Sequence, residues 1–171
     1  PEQGHAEFEV TRVLGKGGMV FVYAAQQGSL RREVALKMIT APADQRAPLE
    51  PPFIAEAMVT GDLDHPNIVP IHDLGRDKSG NLYMTMRLVR GRSWDKVIHE
   101  AASKWSPAWL REQLEILLKI CDAVAFAHSR GIIHRDLKPE NVMVGQFGEV
   151  LVMDWGIAID VSEPPRADSK A

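Results

Sequence analysis

The chain has 171 residues, of which 45% are hydrophobic and 25% charged, and its formal net charge is −3. This composition is typical of a soluble globular protein, and the near balance of charges gives no reason to expect nucleic acid or an anionic membrane as a partner. No apolar run approaches membrane-spanning length, and the polar residues 1–5 do not resemble a signal peptide, so we expect a cytoplasmic protein. The single cysteine, Cys121, lies in an apolar stretch and is predicted to be an inert core thiol.

The first half of the chain is predicted to form short strands separated by turns. The predicted strands are residues 8–14, 20–25, 32–39, 68–74 and 82–89, with a hairpin turn at 77–81 between the last two. Residues 41–52 contain four prolines and are predicted to be a loop. Residues 53–63 are predicted to form a helix, with Phe53, Ala57 and Met58 on one face.

The chain becomes mostly helical after Ser93. Residues 94–102 are a short helix candidate, and Ser106-Pro107 is a typical N-cap and first position of a longer helix that ends before Gly131. Its apolar residues recur every three or four positions and form one stripe: Leu110, Leu114, Leu117, Leu118, Cys121, Val124, Ala125 and His128. Two short strands follow, at 141–144 and 150–153. Strands with one helix, followed by mostly helix, predict a two-lobed α+β layout.

Two features of the strand-rich half suggest phosphate chemistry. Gly15-Lys16-Gly17-Gly18 lies between two predicted strands, where backbone N–H groups can approach phosphate oxygens, although a plain β-turn is the better explanation of this segment on its own. It is not a Walker A loop, because no Gly-Lys-Ser/Thr opens a helix. Lys37 lies within an apolar strand and needs a partner for its charge, which Glu56 can provide. Taken singly, both residues also fit an exposed surface.

The segment His134-Arg135-Asp136-Leu137-Lys138-Pro139-Glu140-Asn141, followed by Asp154-Trp155-Gly156, carries the decisive chemistry. Phosphoryl transfer requires a carboxylate near the attacking hydroxyl, a cation near the transferred phosphate, and oxygen ligands for Mg²⁺. Asp136, Lys138 and Asn141 provide these three groups within six residues, and Asp154 adds a second carboxylate.

With these motifs in this order, the chain resembles a eukaryotic-type protein kinase of the bacterial serine/threonine branch, from Phe8 to about Ile159. The resemblance implies a two-lobed α+β kinase-like fold, with a complete antiparallel N-lobe carrying one helix and a partial helical C-lobe. The implied boundaries are 1–90 for the N-lobe, 91–159 for the C-lobe and 160–171 for a flexible tail. The implied ligands are ATP with Mg²⁺, or alternatively Mn²⁺, and a protein substrate that offers a serine or threonine hydroxyl.

The resemblance also implies roles for individual residues. Asp136 matches the catalytic base, Lys138 the γ-phosphate contact, and Lys37 with Glu56 the ion pair at the α- and β-phosphates. Asn141 and Asp154 match the metal ligands. The implied nucleotide-binding residues are Leu14, Gly15, Lys16, Gly17, Gly18, Val22, Ala35, Lys37, Arg87, Val89, Ser93, Met143 and Asp154. Met86 falls at the gatekeeper position, and His134 and Trp155 are expected to stack in a structural role.

Three departures from the family pattern affect the expected activity. Val20 replaces the third glycine of the loop, which should stiffen the loop and alter its closure over ATP. Trp155 replaces the usual phenylalanine. The sequence given ends soon after Gly156, so we expect a kinase truncated after this motif, with one apolar face of the 110–128 helix uncovered. Two alternatives stay open: a nucleotide-binding module with little turnover, and an assembly unit that forms a homodimer or a domain-swapped pair.

Overall fold

The computed structural model describes residues 8–101 and 105–161. The described chain forms two compact units: residues 8–57 with 70–89, and residues 58–69 with 90–161. Residues 58–69 therefore belong to the second unit, although the sequence assigns them to the first ninety residues. Of the predicted tail, residues 162–171 lie outside the described residues, as does the last residue of the predicted 94–102 helix.

The first unit is built on a five-stranded antiparallel sheet. Its strands are β1 (Phe8–Lys16), β2 (Val20–Gln27), β3 (Arg32–Ile39), β4 (Ile71–Arg76) and β5 (Leu82–Arg87), in the order β1-β2-β3-β5-β4. Lys37 pairs with Val22 on one side and with Met84 on the other, so these three side chains share one face of the sheet. On the opposite face, a buried apolar cluster includes Leu36 and Tyr83.

Two helices follow β3: α1 (Ala43–Arg46) and α2 (Glu50–Asp62). The prediction of a loop over 41–52 is therefore wrong in part. Pro51 and Pro52 lie in the first turn of α2, where a backbone N–H has no acceptor within the helix and its loss costs little. The helix 53–63 was predicted in the right place, but Met58 is 67% exposed. Thr60, two turns beyond Phe53, is buried instead.

The second unit contains two longer helices and several very short strands. Its elements are β6 (Gly91–Ser93), α3 (Trp94–Ala101), α4 (Pro107–Ser129), β7 (Ile132–Ile133), a 3-10 helix (Pro139–Asn141), β8 (Val142–Gly145), β9 (Val150–Val152) and β10 (Ile159–Asp160). The sheets have the orders β6-β8-β9 and β7-β10. Both helices and the β8–β9 pair were predicted. Strands β6, β7 and β10 were missed, because two or three residues are too short to show a period.

The strand predicted over 68–74 is present but shifted toward the C-terminus, as β4 (Ile71–Arg76). β4 begins only at Ile71, while Ile68 forms a bridge with Val152 and Val69 donates a hydrogen bond from its N–H to the Val152 carbonyl at 3.2 Å. Ile68 and Val69 are 1% and 2% exposed. Ile68 packs in the buried cluster of the second unit and not in the sheet of the first.

Helix α4 begins as predicted, with Pro107 in its first turn and the Ser106 hydroxyl accepting a hydrogen bond from the Trp109 N–H at 3.1 Å. Gly131, just beyond its end, has φ of 76°, a conformation that favours glycine. The first-turn proline and the glycine stop are local signals, which explains why both ends of this helix were predicted well.

The apolar stripe predicted for α4 is largely the exposed side of the helix. Its four leucines are 41–64% exposed: Leu110, Leu114, Leu117 and Leu118. The buried side consists of Gln113, Ile120, Ala123 and Ala127. The prediction that Cys121 is a core thiol is wrong, because Cys121 lies on the exposed side. An uncovered apolar face was expected here, and the described chain has one.

The core of the second unit lies between the buried side of α4 and the short strands. Ile120, Ala123 and Ala127 pack in one cluster with valines of β8 and β9 and with Trp155, which is 1% exposed. Each large apolar side chain buried in this way contributes about 1.5–3 kcal/mol to stability. Among residues 8–101 and 105–161, no helix has the length and apolar character that crossing a membrane requires.

Candidate active site

In the first unit, Lys37 of β3 and Glu56 of α2 form the predicted ion pair. The Lys37 ammonium donates hydrogen bonds to both carboxylate oxygens of Glu56, at 2.6 and 2.7 Å. The two side chains are 17% and 11% exposed. The carboxylate therefore compensates the partly desolvated ammonium and orients it on the face of the sheet that also carries Val22.

The glycine-rich segment forms a tight turn between β1 and β2. The Gly17 N–H donates to the Val20 carbonyl at 2.9 Å, and a Cβ atom at Gly17 would lie 2.9 Å from the same oxygen. A side chain at this position would thus collide with backbone, which explains the glycine. Lys16 pairs with Phe21, and its ammonium lies 5.5 Å from the centre of the Phe21 ring. Since Phe21 and Val22 are adjacent in β2, their side chains point to opposite faces, so Lys16 lies opposite Lys37.

The other nucleotide-binding candidates of the first unit follow from the register of the sheet. Ala35 pairs with Met86 and is buried on the face that carries Lys37. Leu14 lies at an irregularity of β1 and is 43% exposed. The Arg87 N–H donates to the Pro70 carbonyl at 3.1 Å, so this N–H already has an acceptor within the first unit.

A separate cavity of about 680 Å³ lies on the opposite face of this sheet. Phe8, Leu36, Met38 and Tyr83 are among the residues that line it, and none of the predicted nucleotide-binding residues is. The cavity is therefore not part of the candidate site.

In the second unit, the Asp136 carboxylate is bound by two side chains from the same short segment. Lys138 donates from its ammonium to the two carboxylate oxygens at 3.0 and 2.8 Å. Asn141 donates from its amide nitrogen to the Asp136 carbonyl at 2.9 Å and to the carboxylate at 3.0 Å. The 3-10 helix makes this contact by returning the chain to Asp136 after Lys138. The structure thus brings together three of the predicted catalytic and metal-binding residues.

These contacts determine the charge states of Asp136 and Lys138. The hydrogen bond from Lys138 is the largest cause that lowers the pKa of Asp136, and the hydrogen bond from Asn141 lowers it further. The same bond raises the pKa of Lys138, to which Asp154 also contributes as a nearby negative charge. At neutral pH the site therefore holds an ionised carboxylate beside a protonated lysine.

The buried side chain of His134 contacts the segment that carries Asp136. His134 is 3% exposed, its Nε2 lies 2.9 Å from the Met153 carbonyl, and its Nδ1 accepts the N–H of Asp136 at 3.2 Å. The centre of its ring lies 4.5 Å from that of Trp155, but the ring planes are inclined by 56°, so the two residues are in contact without the stacking that was expected. The Trp155 indole N–H is buried without a hydrogen-bond partner among the described residues. His134 therefore connects Asp136 to Met153, the residue between β9 and Asp154.

Sequence reasoning gave no role to Arg135, the residue before Asp136. Its φ is 65°, which is unusual for a residue other than glycine, and its Nε donates to the Ile157 carbonyl at 2.5 Å. Asp154 also has a positive φ, of 57°. No property of the sequence reveals such backbone conformations, because they depend on contacts with distant residues.

The donor set of the second unit fits a magnesium ion. Asn141 uses its amide nitrogen for Asp136, which leaves the amide oxygen as a ligand, and the Asp154 side chain belongs to an exposed residue. Among the described residues, no group of three His, Cys, Asp or Glu side chains forms a protein-only metal site. Mg²⁺ commonly binds through one or two protein oxygens together with water and substrate phosphates, and the oxygens of Asn141 and Asp154 would be two such ligands. Ser93 and Met143 pair across β6 and β8, as two neighbouring nucleotide-binding candidates.

Comparison with protein families and curated proteins identifies the class of this chain. The protein kinase domain family matches residues 8–171. The chain therefore belongs to the protein kinase domain family, and the predicted kinase-like α+β fold is confirmed.

The chain is also similar to bacterial kinases of the serine/threonine type. It is 33% identical over 169 residues to the serine/threonine-protein kinase PknD of Protochlamydia amoebophila, which covers 94% of this chain and 17% of that protein. It is 40% identical over 162 residues to PknD of Chlamydia trachomatis serovar D and 39% identical to that of Chlamydia muridarum, each covering 89% of this chain and 17% of the relative. The chain thus spans about one sixth of the length of these relatives, and the resemblance to the bacterial serine/threonine branch is confirmed.

Proposed function

We propose that the chain transfers the γ-phosphoryl group of ATP to a serine or threonine hydroxyl of a protein, with Mg²⁺ or alternatively Mn²⁺ as the metal ion. The observation that carries this proposal is the Asp136 carboxylate, held by Lys138 and Asn141, with the charge of Asp154 close enough to act on Lys138. The relatives described above are named serine/threonine-protein kinases, and this supports the same reaction.

In the proposed reaction, the acceptor hydroxyl oxygen forms a bond to the γ-phosphorus while the bond from that phosphorus to the β–γ bridging oxygen breaks, and ADP leaves. The hydroxyl proton passes to the Asp136 carboxylate. The carboxyl group of Asp136 is ionised at neutral pH, and the hydrogen bond from Lys138, which lowers its pKa, favours that form further, so that it can orient the hydroxyl through a hydrogen bond. Lys138 supplies positive charge for the transferred phosphoryl group. A metal ion held by Asn141 and Asp154 would neutralise the charge of the phosphates.

Lys37 of the first unit would supply a second positive charge, in addition to that of Lys138. Glu56 holds the Lys37 ammonium with two hydrogen bonds, so that its position is fixed before the nucleotide binds. A preorganised cation at the α- and β-phosphates stabilises developing charge without a cost of reorganisation.

The test is transfer of radiolabelled phosphate from ATP to a generic basic protein and to the chain itself. We expect Asp136→Asn to reduce the rate about 100-fold or more, because the amide cannot accept the proton. Asp122→Asn, at an exposed position of α4, is the matched control and should retain the rate of the unchanged protein. Equal labelling by Asp136→Asn and the unchanged protein would remove the proposed role of Asp136.

A nucleotide-binding module with little turnover is the second candidate function. It is favoured by Val20, which lies at the position of the third glycine and whose carbonyl closes the turn at Gly17. Calorimetry with Mg·ATP separates the candidates: micromolar binding without phosphate transfer would support the module, and absence of binding would contradict both.

The exposed face of α4 favours self-association as an additional property. Leu114, Leu117 and Leu118 are 49%, 42% and 64% exposed, and contiguous apolar surface of this kind commonly marks a contact between proteins. We propose a second copy of the chain as the partner. Light scattering should show dimers at high concentration that Leu118→Ser weakens, whereas a strict monomer at all concentrations would contradict this proposal.

A further inference from the structure

The first turn of α2 has few stabilising interactions of its own. Its sequence is Glu50-Pro51-Pro52, and the two prolines have no backbone N–H and are exposed. Phe53 is the first residue of the helix that is buried. The start of this helix therefore depends on contacts made by neighbouring elements, although the same helix carries Glu56.

Arg76, the last residue of β4, provides the main contact of this kind. Its Nη1 donates to Glu50 Oε1 at 2.7 Å, and its Nη2 donates to Glu50 Oε2 at 2.6 Å. Nη1 also donates to the Gly80 carbonyl at 3.1 Å. A planar guanidinium that binds both oxygens of a carboxylate fixes the direction of the side chain as well as its distance. The start of α2 is thus attached to β4 and to the turn that follows it.

The turn after β4, formed by residues 77–81, is held by several hydrogen bonds of its own. Asp77 accepts the N–H groups of Ser79 and Asn81, each at 2.8 Å, and the Asn81 side-chain amide at 2.7 Å. A second arginine, Arg46 of α1, donates to the Ser79 carbonyl at 3.3 Å and to the Ala41 carbonyl at 2.9 Å. Two arginines therefore connect the segment before Glu56 to one rigid turn of the same unit.

We propose that Arg76 is a positioning residue for phosphoryl transfer: by binding Glu50, it fixes the position of α2 that keeps Glu56 on Lys37. Glu50 and Glu56 are six residues apart, or about 9 Å along a helix, so a displacement of the first turn is carried to Glu56. The Lys37–Glu56 contact is short, at 2.6 Å, and is lost after a small displacement. The kinetic consequence rests on the proposed kinase activity, whereas the structural consequence does not.

The experiment reverses the charge of Arg76 alone and then the charges of Arg76 and Glu50 together. Arg76→Glu places two carboxylates in contact, and we expect kcat/KM for ATP to fall roughly three- to tenfold, as suits an exposed but bidentate ion pair. The double variant Arg76→Glu with Glu50→Arg should recover to within about threefold of the unchanged protein, with the positive charge at the helix start limiting the recovery. Asp62→Arg, at the other end of α2, is the matched control, because Asp62 is 78% exposed and makes one contact of 3.5 Å with Arg130. It should change the rate by less than about twofold.

A second readout needs no turnover. The rate at which an amine-reactive reagent labels Lys37 is measured by mass spectrometry, with Lys119, bound to the Gly148 carbonyl in the other unit, as the internal reference. Arg76→Glu should speed labelling of Lys37 about three- to tenfold relative to Lys119, and the double variant should reverse this. General unfolding would expose Lys37 without accelerating Lys119, which is already exposed, so the circular dichroism of the variant must match that of the unchanged protein under the labelling conditions. Unchanged labelling of Lys37 in Arg76→Glu would overturn the proposal. If Lys37 is labelled as expected but no phosphate transfer is detected, the result would support the role of Arg76 in positioning α2 and would contradict the proposed kinase activity.

Discussion

Replacing Lys37 by methionine tests whether its ion pair with Glu56 is desolvated. The substitution removes the ammonium and leaves the Glu56 carboxylate, with 11% of its side chain exposed, without its two hydrogen bonds at 2.6 and 2.7 Å. Breaking a fully buried ion pair costs about 3–5 kcal/mol, and because both side chains keep some exposure we expect a loss of about 2–3 kcal/mol in the free energy of unfolding. At about 2 kcal/mol per molar urea, the midpoint should fall by about 1–1.5 M.

A second substitution makes the prediction specific. In the Lys37→Met background, Glu56→Leu replaces the carboxylate that has lost Lys37 with an apolar side chain of similar size, so stability should return to within about 1 kcal/mol of the unchanged protein. The two substitutions are therefore expected to be strongly non-additive, with a coupling energy above about 1.5 kcal/mol. Kinase activity should be absent from both variants, because the Lys37 charge is missing in each.

The assay is urea unfolding followed by circular dichroism, with phosphate transfer measured on the same samples. Lys119→Met is the control, since Lys119 is exposed and its loss should change stability by less than about 0.5 kcal/mol. Additive destabilisation in the double variant would refute the reasoning, because it would mean that the Glu56 carboxylate is solvated without Lys37.

Three further predictions concern the second unit. Lys138→Met removes the main cause of the low pKa of Asp136, so that pKa should rise toward the ordinary range of an aspartic acid; an unchanged midpoint of the Asp136 carboxyl group in an NMR titration from pH 2 to 7 would speak against it. Gly91→Ala would place a Cβ 2.0 Å from the Val144 carbonyl oxygen and should cost about 3 kcal/mol or more, which a thermal melt within 1 °C of the unchanged protein would disprove. Trp155→Ala, at a site 1% exposed, should cost about 3–5 kcal/mol in urea unfolding, and a cost below 1 kcal/mol would be inconsistent with its burial.

The segment 134–141, for which we propose the catalytic role, could be predicted from sequence because its chemistry is local. Asp136, Lys138 and Asn141 lie within six residues, so one short 3-10 helix suffices to bring their polar atoms within 3.0 Å. The partnership of Lys37 and Glu56 was also predictable, since a lysine in an apolar strand requires a compensating charge. By contrast, the ion pair of Arg76 and Glu50 joins two exposed charges far apart in the chain, and no pattern in the sequence distinguishes them from ordinary surface residues.

Helix α4 separates the features that the sequence alone predicts from those that tertiary packing decides. Periodicity and capping determined its existence and its ends, because hydrogen bonds and turn geometry act over a few residues. The side that is buried was decided by tertiary packing, since Ala123 and Ala127 let the strands of the second unit approach closely, while Leu114 and Leu118 remain exposed. Hydrophobicity is a property of the side chain alone, whereas burial depends on which other surface is available to cover it. The sequence by itself therefore determined the family, the longer helices and strands and the chemical groups of this protein, and only the tertiary structure decided which apolar face became core and which exposed charges became partners.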